Sequence, residues 1–148
     1  MENSVTTERR LVDTLTLPNG LEVFFYDCSR KVAGDRWYVC LTVEIPIPVQ
    51  KDHFRGQSDP EKAYGEFTQA FGDTYVFLQK KERNFIDEKE VQTLLQAMKD
   101  DFIKNNLSYV GKAQFPMLCI KKAYSEWKEQ QKWKVLHEEA IRVADSGE

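Results

Sequence analysis

The sequence predicts an α+β domain: an antiparallel sheet of about four strands with two to three helices packed on one face. Two observations carry this. Strict period-two alternation is concentrated before residue 46, and an apolar period of 3.6 residues governs most of the chain after Asp59. The resulting element order, βββαβαα, is that of a domain whose helices are segregated to one side of an antiparallel sheet.

The first strand begins at Leu11, where Leu11, Leu15 and Leu17 surround Thr14 and Thr16. Pro18-Asn19-Gly20 is a turn. A two-residue Asn-Gly loop would set Leu17 against Glu22, whereas a three-residue loop sets Leu17 against Leu21 and Leu15 against Val23, keeping apolar residues on one face. The three-residue loop is therefore expected, with Gly20 at positive φ. Leu21, Val23 and Phe25 mark the second strand. Trp37, Val39, Leu41, Val43 and Ile45 mark a long third one, which Pro46 and Pro48 should end for want of N–H donors. Residues 49–58 read as a polar loop.

Asp59-Pro60-Glu61 starts a helix, with Asp as cap and Pro at the first turn. Ala63, Tyr64, Phe67, Ala70 and Phe71 form its stripe, and Gly72 stops it. Thr74–Leu78 reads as a fourth strand that can continue toward Phe85. Asp87 and Glu90 form a capping-box pattern with Ile86 and Val91 as staple. The helix they open carries Val91, Leu94, Leu95, Met98 and Phe102 and should close at Asn105-Asn106. Residues 115–120 fit either a helix opening at Pro116 or a short extended segment. Lys121–Lys134 should be helical, with Ile120, Ala123, Tyr124 and Trp127 on one side.

The chain has 148 residues, enough for one domain, with expected bounds 9–134. Residues 1–8 read as a loose tail and 135–148 as an acidic tail or frayed helix. A net charge of -3 argues against a general nucleic-acid binder. Three scattered cysteines and two histidines supply neither a disulfide framework nor ligand spacing for zinc, so no metal, cofactor or essential disulfide is expected. The polar first residues hold no signal core and no apolar run has membrane length, so the cytoplasm is the expected compartment. No Gly-x-Ser-x-Gly, phosphate-binding loop, dinucleotide fingerprint or His-Glu-x-x-His occurs, which weighs against catalysis, and no catalytic residue is assigned.

The most informative stretch is Tyr26–Tyr38, read as a connection joining two strands at one end of the sheet. It gathers Ser29, Arg30, Lys31, Asp35, Arg36 and Trp37. Arginine forks suit a phosphate or carboxylate, serine donates, and tryptophan stacks. The plainer reading, a hairpin connection whose charges pair locally, carries about twice the weight. Glu8-Arg9-Arg10 and Asp27-Cys28-Ser29 resemble the Arg-rich stretch and the Asp/Asn-x-Ser-x-x-Gly motif of bacterial PilZ domains, a resemblance that implies cyclic-dinucleotide binding. Val32 stands at the glycine position, however, and the Arg-x-x-x-Arg spacing is missing.

A second candidate is the segment Leu107–Lys134, where six lysines face two glutamates with Tyr124, Trp127 and Trp133 interleaved. Such a surface suits single-stranded nucleic acid, but lysine stems lying along an apolar helix face are commoner. Trp133, beyond the clear stripe, is either a partner contact or a helix end packed on the sheet. Taken together, the sequence is that of a cytoplasmic, non-enzymatic binding or interaction module that contacts a protein partner through residues 26–38. The alternative is a ligand-responsive domain that captures a phosphorylated small molecule or nucleotide, an anion in either case, through Arg30, Lys31 and Arg36 of the 26–38 stretch. An enzyme with dispersed residues ranks third.

Overall fold

The structure, a computed structural model, describes residues 9–146, with side chains through Ala144. The expected tail at residues 1–8 lies outside the described residues. Among the described residues, five antiparallel strands and three α-helices make the fold α+β, and the chain divides into two compact units. The first comprises residues up to Pro48 and Thr74–Phe115, and the second comprises Val49–Asp73 and the chain from Pro116.

In the first unit, β1 (Arg10–Thr16) and β2 (Glu22–Asp27) form a hairpin with Leu15 opposite Val23. The Leu17 N–H donates to the Leu21 carbonyl at 2.7 Å, and Gly20 has φ 90°. The turn is thus the three-residue type that the apolar pairing demands. Asn19 ties it down by donating its side-chain amide to the carbonyls of Val110 at 2.9 Å and Lys112 at 2.8 Å. Replacing Gly20 by Val should cost about 1 kcal/mol or more, since a β-branched residue resists this backbone region. An unchanged urea midpoint would refute the assignment.

β4 (Arg36–Pro48) is the central strand, and two expectations fail along it. First, residues 26–38 are not a free connection. β3 (Arg30–Ala33) pairs with the start of β4, and only Gly34 and Asp35 form the turn. β2 and β3 follow one another along the same edge of β4 in an almost unbroken register: Phe24 faces Glu44, Asp27 faces Leu41, and Arg30 faces Tyr38. Second, Pro46 does not end the strand, which pairs on past it opposite Val76 and stops at Pro48, opposite Thr74. The Cys28 N–H bonds the Cys40 carbonyl, so even-numbered residues of β4 point their backbone groups toward β2. β2 pairs no further than Glu44. Beyond it that edge is open, and a missing N–H at residues 46 and 48 forfeits no ladder bond.

β5 (Thr74–Asp87) covers the other edge of β4 for its whole length, taking the continuation past Leu78 toward Phe85 that the sequence allowed and running two residues beyond it. α2 (Val91–Val110) packs on the odd-numbered face, where Val91, Leu95, Met98 and Phe102 are buried and the Phe25 and Phe102 rings meet edge-on at 5.7 Å. Its entry differs from the expected capping box. Asp87 accepts from the Lys89 N–H and caps a single 3₁₀ turn, Glu88–Glu90, that precedes the helix. Nor does Asn105-Asn106 end it. Buried Val110 draws the helix on to Gly111, where an added Cβ would sit 2.9 Å from Pro18 Cδ.

The second unit contains a one-turn 3₁₀ helix (Lys51–Phe54), α1 (Pro60–Phe71) and α3, which begins at Phe115 and runs to Ser146. α1 starts as expected: the Asp59 carboxylate accepts from the Lys62 N–H and Gly72 closes the helix at φ 86°. The supposed polar loop at 49–58 contributes Phe54, 1% exposed, to a cluster with Phe67 and Tyr124 at centroid distances of 5.6 Å. Residues 115–120 are helical, and the segment after Lys134 continues as helix.

Candidate functional site

The six residues singled out from the sequence all lie on the distal half of the β2/β3–β4 hairpin, where the pleat sends them to two faces. On the face that carries α2, the Trp37 indole N–H donates to Glu88 at 3.0 Å, and Lys31 lies 3.9 Å from the same carboxylate. Arg36 sits 3.7 Å from Asp35 and 4.0 Å from Asp87 beside the turn. Ser29 accepts the Cys40 N–H at 3.0 Å and donates its own N–H to Asp27 at 2.8 Å, which makes it a bracket at the β2–β3 break. Arg30 is on the opposite face, its guanidinium 5.0 Å from the Tyr38 ring. Lys31 and Trp37 are thus brought together, Arg36 stands at the tip, and Arg30 is separated from both.

The face opposite α2 is a ladder of cross-strand pairs, built because residues two apart share a face. Phe24 and Glu44 come first, then Tyr26 and Thr42, then Cys28 and Cys40, then Arg30 and Tyr38. Arg9 stacks over Tyr26 at 3.9 Å and pairs with Glu44. Tyr38 donates its hydroxyl to Glu82, whose carboxylate also lies 3.7 Å from Lys80. Burial, followed by that neighbouring carboxylate, drives the Tyr38 pKa well above its ordinary value. Burial likewise raises the Cys40 thiol, which is fully enclosed, while Cys28 is half-buried. Across from Tyr38 the ladder slips, and Phe85 protrudes there at φ 58° and 74% exposure. An aromatic residue in the left-handed region is strained, and no local sequence signal announces it.

In the second unit, Gln57, Asp59, Lys62, Glu66, Tyr124 and Lys128 line a cleft of about 200 Å³. Its two carboxylates are each held by a hydrogen bond from within the unit. Tyr124 donates to Glu66 at 2.7 Å, Asp59 caps α1, and the Lys128 ammonium lies 5.4 Å from the Tyr124 ring. Burial and the Glu66 carboxylate push Tyr124 up to about 12. Among the described residues no cluster of His, Cys, Asp or Glu is placed to hold a metal ion, and no helix is long and apolar enough to cross a membrane.

α3 is the most exposed element. Ile120, Ala123 and Tyr124 are buried, Trp127 is half-buried, and every residue from Lys128 to Ala144 is exposed. Trp133 is 65% exposed and Leu136 47%. At 3.6 residues per turn, Trp133, Leu136 and Ala140 fall on the side of the helix roughly opposite Ile120, Ala123, Tyr124 and Trp127. No protein-family model matches the chain, and neither a curated protein nor a solved structure is significantly similar to it.

Proposed function

We propose that the protein is a cytoplasmic, non-enzymatic interaction module that pairs with a second copy of itself through the outer half of α3. The observation that carries this reading is the exposed Trp133–Leu136–Ala140 stripe, turned away from the side that α3 buries in its own unit. Tryptophan and leucine left in water over successive helical turns mark a contact surface. So exposed a helix half draws its stability from a partner more than from propensity.

Charge selects a second copy, in antiparallel orientation. In the heptad frame set by Trp133 and Leu136, Lys132 and Glu139 occupy equivalent flanking positions. Antiparallel pairing that sets Trp133 against Leu136 of the second copy brings Lys132 of each chain to Glu139 of the other, twice by symmetry. Parallel pairing offers Lys132 only a histidine and Glu139 only an alanine.

Sedimentation velocity over a concentration series tests the proposal. The wild type should show a monomer–dimer equilibrium that Trp133→Glu abolishes. Lys132→Glu and Glu139→Lys should each weaken it, and the double exchange should restore it. A wild type monomeric at all concentrations, or dimers indifferent to these changes, would refute the reading.

The second reading, capture of a phosphorylated small molecule through Arg30, Lys31 and Arg36, has less support. Lys31 and Arg36 already stand beside carboxylates, and Arg30 is on another face. It requires thermal stabilisation by inorganic phosphate or nucleotides that fades with added salt.

A further inference from the structure

The cysteines at the middle of the outer ladder are placed for a reaction with each other. Every β2 residue from Phe24 to Asp27 pairs with β4 at one constant register, and the Cys28 N–H···O=C Cys40 bond of 2.9 Å carries that register one step further. Cys28 and Cys40 are therefore directly opposed across the strands, and their side chains leave the same face. The Cys28 sulfur lies 3.8 Å from the Thr42 hydroxyl, the next residue on that face of β4. The return bond is missing, because the Cys40 N–H goes to Ser29 Oγ, but directly opposed antiparallel residues have Cα atoms about 4.5–5.5 Å apart in either kind of pair, inside the span of roughly 4.4–6.8 Å that a disulfide bridges. Both thiols are free. Their accessibility differs in a useful way, since Cys28 is half-buried while Cys40 is fully enclosed. A small oxidant meets Cys28 first, because Cys40 is fully enclosed.

We propose that Cys28 and Cys40 constitute an oxidative modification site at which a hydroperoxide closes a reversible cross-strand disulfide. With hydrogen peroxide, the Cys28 sulfur takes one peroxide oxygen as the O–O bond breaks, giving a sulfenic acid and water. The Cys40 sulfur then attacks the Cys28 sulfur. An S–S bond forms, the S–O bond breaks, and the hydroxyl leaves as water with the proton of the Cys40 thiol. Two thiols are oxidised by two electrons in all, and one peroxide is reduced to two waters. The attack is intramolecular, so the burial of Cys40 does not hinder it. Reduction by a small dithiol enters through Cys28 and reverses it. Cys119, on α3, has no described cysteine in a comparable cross-strand position and serves as an internal control.

The test treats the folded full-length chain with hydrogen peroxide, blocks remaining thiols under denaturing conditions, and counts them by intact mass and non-reducing peptide mapping. Three thiols should fall to one, with peptides containing Cys28 and Cys40 linked and the loss reversed by dithiothreitol. Cys119→Ser should leave the linkage intact. Cys28→Ser, a mild change at a half-buried position, should leave Cys40 reduced. A sulfenic-acid trap or higher oxide on Cys28 without the linked peptide would overturn the proposal. So would disulfides between chains through Cys119 as the main product, or three thiols persisting in the folded wild type. The wild-type arm is decisive alone, so a variant that fails to fold leaves the test intact.

Discussion

Phe25→Ala should remove about 3–5 kcal/mol of stability, the usual cost of truncating a buried aromatic residue. Phe25 is fully buried, faces Val43 across the ladder, meets Phe102 of α2 edge-on, and has the Lys99 ammonium 5.9 Å from its ring. The truncation therefore opens the seam between the sheet and its helix, where neither side can relax far without shifting the other. Since a whole domain commonly holds only about 5–15 kcal/mol, this single change brings the first unit close to its threshold. Phe25→Leu keeps most of the volume and should lose markedly less. Leu11→Ala, on the edge strand at 54% exposure, should stay within about 0.5 kcal/mol. Urea melts of the three variants, compared at unchanged slope, test the packing. A Phe25→Ala loss of under about 1 kcal/mol would mean that α2 does not sit on this face.

Phe25 is legible in the sequence because alternation and turn chemistry point the same way. Leu15, Val23 and Leu41 announce one face, and Pro18-Asn19-Gly20 permits only one loop length that keeps them there. Propagating that register produces the sheet. Elements are illegible where a tertiary circumstance decides. Pro46 reads as a strand breaker because the sequence cannot disclose that β2 stops at Glu44 and leaves one edge of β4 open, so that the strand runs on to Pro48. Asn105-Asn106 reads as a helix end because the buried position awaiting Val110 is invisible locally.

The candidate site illustrates the same division. A signal for its true structure is present: Gly34-Asp35, between Val32-Ala33 and Arg36-Trp37, has the form of a two-residue hairpin turn. Gly34 adopts φ 57° there. Read that way, the stretch from Tyr26 to Tyr38 turns from a loop into a ladder, and its polar residues separate by parity onto opposite faces. The same parity sets Cys28 against Cys40, which no one-dimensional spacing suggests because a cross-strand pair can sit at any separation. On α3, the change of stripe from Tyr124 and Trp127 to Trp133 and Leu136 is visible in the sequence. Whether the second stripe is covered is not, and the structure leaves it in solvent.

Asp27→Asn should cost about 1–3 kcal/mol at neutral pH, the range for losing a hydrogen bond to a charged group at a buried position. Asp27 is 3% exposed yet ionisable. Its carboxylate accepts the Ser29 N–H at 2.8 Å and an Arg10 guanidinium N–H at 2.5 Å. It thereby closes the Asx turn at which β2 gives way to β3 and anchors the edge strand that Arg10 begins. Burial opposes the charge most strongly, but the Ser29 hydrogen bonds and then Arg10 outweigh it and hold the pKa below the ordinary carboxylate value. Arg10 itself is largely exposed, so its share is screened and the Ser29 N–H contributes more. A depressed folded-state pKa gives stability that is complete above the unfolded-state value and is lost as the pH falls through the folded-state value. Below that point the carboxyl is neutral and about the same shape as asparagine. The difference between wild type and Asp27→Asn should therefore be widest near neutrality and close as the solution is acidified, while Asp27→Ala should stay less stable across the whole range because nothing then meets the Ser29 N–H. Urea midpoints of the three proteins from neutral to acid pH check this. A wild-type-to-Asn gap that holds constant with pH would show that Asp27 acts through its shape and not its charge.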